Sequence, residues 1–489
     1  MRRLTIERAA LLILFVLLFT LATRIPVDTD TWWHIRSGEH TLTRGMIYTD
    51  PFSFTASGQP WINHSWGSQL ILYGAWRLAG NVGLALYTSV LATAGMAVVY
   101  RMCAGSVYLR AFALVIGAAT AAVFWSARPQ MVSFLLSAVL LYILYLNKRQ
   151  HIDHLWFIPA LMLLWGNLHA GFSIGFILLF GAIAGEVLGN IFNRGSATVV
   201  SWAGVRKLLL VAAVSVGALV INPYGLQILA LPFQTVSIGA LQNFIQEWNS
   251  PNFHGRETWP FIFLLLGVLG AAGGSRERLD WTDFLLVSGT AFLALLAGRN
   301  IAVFAVVATP VLTYHLDAIL NERGWVLRSV KSVTPAVGRL NLILLAVISL
   351  GALVVIIGTL NPVGVRKAQE QYLPVRVTEF LSAEQPPGPM FNSYNWGGYL
   401  MFAAPQYPVF VDGRTDMYGD VFLTRWLDTA TGGDGWQDTL NEYGINLVVI
   451  ENGSGLARQL ANSANWAQIY PRAGDEDEQA VVFARRGTP

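Results

Sequence analysis

The sequence predicts a polytopic α-helical membrane protein of about eleven spans carrying a C-terminal α/β domain. Three observations lead there. Charged residues make up 12% of the 489 residues and hydrophobic ones 54%, where a soluble domain carries about 25% charged. Apolar runs near the ~20 residues that cross a bilayer recur up to residue 360. After that point the pattern changes to the short apolar runs PMFNSY (389–394), PVFVDG (408–413), INLVVI (445–450) and AVVFAR (480–485). Helix-like polar stretches at 374–383 and 434–443 lie between them, so the tail reads as a small α/β domain.

In chain order, spans are expected near 8–25, 82–100, 110–127, 131–147, 154–168, 171–190, 207–222, 259–274, 282–298, 300–320 and 341–360. The start, MRRLTIERAALLILFVLLFTLA, has a basic n-region but no small-residue cleavage site, so it reads as a retained first helix. The stretch 66–79, WGSQLILYGAWRLA, is too short to span and suits an interfacial amphipathic helix. The predicted division is a membrane domain at 1–361, with a first outer loop at 24–81, and a soluble domain at 362–489.

Lysine and arginine placement sets an orientation. With the N-terminus cytoplasmic, every inner segment is basic and the longer outer loops hold fewer cations, as the positive-inside rule expects. An odd number of spans then puts the tail outside, on the same side as the loop 24–81. The net charge of +3 gives no reason to expect nucleic acid, and the single cysteine, Cys103, excludes an internal disulfide framework.

This topology gathers the unusual polar residues on the outer side. Asp28, Asp30, His34, Arg36, Asn63 and His64 fall in the first loop. Arg128 follows in SARPQ, His169 in GNLHAG, Glu247 in IQEWNSPNF, and Arg299 with Asn300 in AGRNI. Each has a plain structural reading as well. A D-x-D pair at a helix end can serve as a cap. An arginine before a proline can snorkel, a turn histidine can bond backbone, and a loop glutamate can stay solvated. Arg299, between two apolar runs, is hardest to dismiss, because an unpaired cation there is costly. Trp32 and Trp33 suit the interfacial aromatic belt.

Paired carboxylates offer hard oxygen ligands to a divalent cation, Mg²⁺ or Mn²⁺, that would neutralise a departing phosphate. Alternatively, one aspartate serves as general base on an acceptor hydroxyl while arginines hold the phosphate. Either scheme suits sugar transfer from a lipid-linked donor.

The stretch DTDTWWHIRSGEHTLTRG, directly after the first span, resembles the first outer loop of the GT-C superfamily of polyprenyl-phosphate-dependent glycosyltransferases. The Asp-aromatic-His-Arg segment of oligosaccharyltransferase catalytic subunits is matched by Asp30, Trp32, Trp33, His34 and Arg36. Protein O-mannosyltransferase-like enzymes also carry a catalytic acid there. NSYNWGGYL (392–400) and PVFVDGRTDMYGD (408–420) are similar in shape to the acceptor-binding Trp-Trp-Asp-Tyr-Gly segment and the stretch after it. The sequence departs from that pattern, since Gly397 and Gly398 separate Trp396 from Tyr399 with no aspartate. Only a few residues join the third and fourth spans, which leaves no room for a second acidic metal motif. The loop that closes over peptide in those enzymes corresponds to 222–258 by position alone.

The resemblance implies a membrane glycosyltransferase of inverting GT-C type in a bacterial-type plasma membrane. It would take sugar from a polyprenyl-phosphate donor and pass it to a protein, glycan or lipid acceptor. Asp30 is the expected base or metal ligand, supported by Asp28. Arg128, Arg299, His64 and His169 are the expected donor-phosphate contacts. Further substrate contacts are expected from His34, Arg36, Glu247, Asn300, Trp396, Tyr399, Asp412 and Arg414. The alternatives are a catalytically inactive GT-C-like scaffold or subunit and a transporter of a lipid-linked substrate. The transporter would call for ionisable residues near mid-span and repeated broken helices.

Overall fold

The computed structural model describes residues 4–193, 198–236, 239, 246–325, 333–472 and 477–487. Of the basic residues assigned to the inner side, Arg2, Arg3, Arg194, Arg328 and Lys331 lie outside these, as does part of the loop 222–258. The chain divides into two compact units. The first comprises Met1–Arg24, Ala85–Leu229 and Ile245–Thr359, and the second comprises Ile25–Leu84, Ala230–Phe244 and Leu360–Pro489.

Each of the eleven predicted spans corresponds to a helix. They are α1 (Ile6–Ala22), the second part of α3 (Trp66–Met102), α4 (Val107–Ala121), α5 (Gln130–Arg149), α6 (Phe157–Leu168), α7 (Phe172–Phe192) and α8 (Trp202–Leu219). Then follow α9 (Trp259–Gly274), α10 (Trp281–Leu296), α11 (Ile301–Glu322) and α12 (Pro335–Thr359). Eight helices among the described residues are long and apolar enough to cross a membrane. The three short ones are α1, α6 and α10. The 12 residues of α6 rise only about 18 Å, against a hydrocarbon core of about 30 Å. The chain is a polytopic integral membrane protein. Helix α3 breaks at Ala79 and Gly80, whose backbone angles are non-helical, so residues 66–78 form a separate helix before the span.

Many polar groups inside the first unit are paired, as a low dielectric favours, although among the described residues Ser137 Oγ and both ring nitrogens of His315 are buried without a hydrogen-bond partner. The Thr23 hydroxyl meets Ser89 Oγ at 3.0 Å, and Asn341 Nδ2 donates to the Leu4 carbonyl at 2.9 Å. At the C-terminal end of α5, Lys148 Nζ donates to Glu186 Oε1 at 2.5 Å. There, Arg149 Nη2 donates to both Asp280 and Asp283 at 2.6 Å. Glu186 is therefore a packing carboxylate within its helix, held further by Thr282 and the Val200 amide.

The second unit is built on a four-stranded sheet of order β1-β2-β4-β3. Its strands are β1 (Met390–Asn392), β2 (Leu447–Glu451), β3 (Trp466–Tyr470) and β4 (Ala480–Arg485). Strand β1 pairs parallel with β2, whereas β4 pairs antiparallel with both β2 and β3. Both faces of the sheet are covered. Leu447, Val449 and Val482 pack in one core cluster, while Val448, Ile450, Val481 and Phe483 pack in the other. Burial on both faces is why β2 and β4 read as unbroken apolar runs.

Two details differ from the sequence expectation. PVFVDG is no ladder strand, and its Val409 forms one isolated bridge to Ser53. Side chains satisfy the rest of this segment, for Asn392 accepts from the Phe410 amide and donates to the Val411 carbonyl. WAQIY, which is β3, differs from the expected strands, because the exposed Gln468 between the partly buried Ala467 and Ile469 leaves no apolar run.

The first loop also groups differently from the predicted division. Its contacts place it with the tail rather than with the membrane-spanning residues. Trp33, Ile47, Phe52 and Trp61 share a core with Trp396, Leu400 and Val449. Helix α2 (Asp30–Arg44) lies so close to the start of α3 that a Cβ on Gly38 would stand 2.2 Å from the Gln69 carbonyl oxygen.

A buried ion cluster ties loop to tail. Arg414 donates through Nε and Nη2 to the two oxygens of Asp412 at 2.8 and 2.7 Å, and through Nη1 to Asp50 at 2.5 Å. Its guanidinium stacks 4.9 Å from the Trp61 ring centroid. Burial alone would lower its pKa, but Asp412 and its neighbours hold it well above the ordinary arginine value. Replacing Arg414 by methionine leaves two buried carboxylates uncompensated and should cost about 3–5 kcal/mol. Thermal unfolding of the purified full chain should then shift down by several degrees.

Candidate functional site

The second unit holds the acidic part of the predicted constellation. Asp28 Oδ1 accepts from the Asp30 amide at 3.0 Å, a local turn that starts α2. Asp30 Oδ1 accepts from Trp33 Nε1 at 3.1 Å. The same oxygen faces the Gly413 backbone so closely that a Cβ there would lie 2.1 Å away. A glycine is therefore required at 413 wherever Asp30 keeps this position. Both aspartates are partly buried, at the start of a helix whose N-terminal dipole favours negative charge. Their spacing offers oxygen ligands to a metal. Among the described residues, no group of three or more His, Cys, Asp or Glu side chains is gathered in a way that could hold an ion.

Other predicted contacts in this unit are committed to structure. His34 is buried, and its Nδ1 lies 3.3 Å from Gln69 Nε2. Gln69 also exchanges two 2.7 Å bonds with Asn63, so the histidine's place is fixed by a side-chain pair. Trp396 sits in the core, and Tyr399 packs edge-on against Trp32 with ring centroids 5.1 Å apart. Asp412 and Arg414 belong to the buried cluster already described. His64 Nδ1 meets Ser65 Oγ at 2.8 Å, and Arg36 pairs with Glu39 one turn on. Arg36 Nε is buried with no hydrogen-bond partner among the described residues, as are Thr31 Oγ1, Ser37 Oγ and His40 Nδ1 on the same helix.

The first unit holds the cationic part. Arg128, just before α5, donates through Nη1 to Glu247 Oε2 at 3.2 Å. Arg299, in the short turn between α10 and α11, brings its Nη1 to 3.8 Å from the other oxygen, Oε1. One carboxylate thus bridges two guanidiniums from separate turns. Arg299 also stacks over the Trp248 ring at 4.3 Å. The Gly298 amide donates to the Asn249 carbonyl at 3.0 Å, which anchors the turn 246–249 beside 298–300. Asn300 spends its amide on the Leu293 carbonyl. All three charged side chains keep between 17% and 32% of their surface exposed, so solvent and ligand can reach them. Burial pushes the Glu247 carboxyl upward, but Arg128 and Arg299 outweigh it and hold the group below the usual carboxylate value.

His169 caps the end of α6. Its Nδ1 accepts from the Gly171 amide at 3.1 Å and lies 2.7 Å from Ser133 Oγ. Ser133 Oγ in turn accepts from Trp165 Nε1 at 2.7 Å. An Nδ1 that accepts from an amide carries no proton, so the ring is the Nε2–H tautomer with its donor edge directed away from Ser133. Ser133 and Trp165 were not expected from sequence to matter. The one signal was the i, i+4 spacing of Trp165 and His169 across the end of a helix.

No family model matches the chain, and no curated protein matches its sequence. Solved structures do match its fold. The archaeal oligosaccharyltransferase AglB from Archaeoglobus fulgidus, in complex with an inhibitory peptide and a dolichol-phosphate, superposes with a TM-score of 0.57 at 11% identity. That match covers 91% of this chain and 69% of AglB. The arabinofuranosyltransferase AftD from Mycobacteria gives a TM-score of 0.52 at 15% identity, over 99% of this chain and 40% of AftD. ArnT from Cupriavidus metallidurans, bound to undecaprenyl phosphate, gives 0.49 at 13% identity, over 97% of this chain and 96% of that one. The chain has a GT-C-like fold.

The Glu247 bridge has a pH signature. A carboxyl held below its unfolded value stabilises the fold fully above that value, about 4.5, and loses the contribution as pH falls through the folded value. The full chain should therefore melt higher than its Glu247→Gln variant at pH 7. The gap should narrow progressively below about pH 4.5, as thermal unfolding across a pH series would read out.

Proposed function

We propose that this protein is a glycosyltransferase of inverting type that takes sugar from a polyprenyl-phosphate donor at the outer membrane face. The observation that carries the reading is the pair Arg128 and Arg299, brought together on one anion at one end of a helical bundle with a GT-C-like fold. Two partly exposed guanidiniums in such a place suit a phosphate on a lipid, with the apolar tail lying along the helices. The AglB structure with this fold holds a dolichol-phosphate, which supports the same donor class here.

In the proposed reaction the acceptor hydroxyl oxygen attacks the anomeric carbon as the bond from that carbon to the phosphate oxygen breaks. The hydroxyl proton passes to Asp30, and polyprenyl phosphate leaves with the bonding electron pair, its charge met by Arg128 and Arg299. Asp28 supports Asp30 by fixing the start of α2. Where a metal takes part, Mg²⁺ or Mn²⁺ suits the carboxylate oxygens of Asp28 and Asp30 with water completing the shell. His169 is a further candidate contact to the phosphate. Trp396, Tyr399, Asp412, Arg414 and His34 support the fold of the second unit and are left out of the substrate contacts. The proposed orientation keeps the N-terminus cytoplasmic and the tail extracytoplasmic.

The test is turnover by the full chain with polyprenyl-phosphate sugars. Asp30→Asn should lower kcat by at least about a hundredfold while leaving the melting temperature near that of the unaltered chain. Arg128→Gln should chiefly weaken donor binding. If neither substitution changes activity, the proposed roles fail. If the folded chain transfers no sugar from any donor yet co-purifies with a glycosyltransferase, it is an inactive subunit.

A further inference from the structure

The bridge between Arg128 and Arg299 is more than a surface ion pair. Glu247 gives one oxygen to each cation, 3.2 Å from Arg128 and 3.8 Å from Arg299. A phosphate also presents two oxygens to two guanidiniums in this way. Arg128 and Arg299 come from turns far apart in sequence, and Glu247 comes from a third, so the carboxylate lies where three loops of one unit meet. Counting these three groups alone, one positive charge remains. A sugar-bearing donor phosphate is a diester with one negative charge, so its exchange for the carboxylate would keep that balance, and the doubly charged polyprenyl phosphate left after transfer would bring it to zero.

We infer that the Glu247 carboxylate is a built-in stand-in for the donor phosphate, and that donor binding is an exchange in which the phosphate displaces it from Arg128 and Arg299. This deepens the proposed function and rests on it, because it takes those two arginines as the phosphate seat. The geometry makes the exchange a side-chain event. The backbone around Glu247 stays tied by the Gly298–Asn249 hydrogen bond and by Arg299 stacked over Trp248. The glutamate needs only to swing toward solvent, where about a third of its surface already lies. Without ligand, the carboxylate keeps the two like charges from repelling one another and holds the seat in shape. With ligand, it leaves. The cost is affinity, because a site occupied by its own carboxylate most of the time binds donor more weakly in proportion.

The experiment is equilibrium binding of undecaprenyl phosphate to the purified full chain, with Glu247→Gln, Glu247→Asp and Arg128→Gln beside it. Removing the competitor should tighten binding about tenfold in Glu247→Gln. Glu247→Asp, too short to reach both cations, should fall between Glu247→Gln and the unaltered chain, and it tests the idea even if the glutamine variant fails to fold. Arg128→Gln should bind more weakly than the unaltered chain. If the unaltered chain binds the lipid and neither Glu247 variant binds it more tightly, the stand-in role is overturned while the donor reading survives. If no variant binds the lipid at all, the donor reading fails and takes this inference with it. If inorganic phosphate gains affinity in the variants and the lipid does not, the seat belongs to free phosphate, and the lipid assignment is overturned.

Discussion

A guanidinium at the end of a membrane-crossing bundle has to meet an anion, since leaving it unpaired costs several kcal/mol. Much of the first unit follows from this constraint. Arg128 is fixed just ahead of α5 and Arg299 just ahead of α11, and Glu247 reaches both from a turn between α8 and α9. About 30 Å further along α5, at its C-terminal end, Lys148 and Arg149 solve the same problem with Glu186, Asp280 and Asp283. The two ends differ in a way that matters. At the Lys148 end two cations meet three carboxylates, and Lys148 with Glu186 is the most deeply buried pair, at 10% and 3% exposed. At the Arg128 end one carboxylate serves two cations, and all three remain open to solvent. One end is a closed ion cluster, and the other is the phosphate seat proposed above.

The second unit solves a different problem, that of holding an acidic loop in place. Helix α2 carries Asp30 at its first turn and buries Trp32 and Trp33 against the tail. The tail returns the contact through Gly413, whose backbone lies against the Asp30 carboxylate. Arg414, next in sequence, pins Asp50 of the same loop. The first loop and the tail therefore fold as a single body, and the position of the catalytic candidate depends on residues nearly four hundred positions away in sequence.

Much of this was legible in the sequence, for identifiable reasons. The apolar runs gave all eleven helices, because each run stands out against the polar turns that flank it, although three of the helices are shorter than a bilayer needs. The break at Ala79 and Gly80 was visible as the end of a short amphipathic stretch. The long-range partnerships were hidden. Nothing in PVFVDG shows that Asn392 would satisfy its backbone in place of a ladder, and nothing in DGRTD shows that Arg414 would find Asp50. Arg414 and Asp412 looked like surface chemistry and proved fully buried. Glu247 appeared as a solvated loop glutamate, because its two partners lie more than fifty residues away on either side. The tautomer of His169 required the Ser133 hydroxyl and the Gly171 amide to be placed before it could be read. Patterns with a local period show in a sequence, and electrostatic pairs across loops do not.

The most direct measurement of the central claim is a density map of the full chain in a lipid bilayer, with and without undecaprenyl phosphate. Phosphate density between Arg128 and Arg299, with the Glu247 side chain turned away, is the expected result. A Glu247 carboxylate still bridging both arginines at saturating lipid, with the phosphate bound elsewhere or absent, would contradict it.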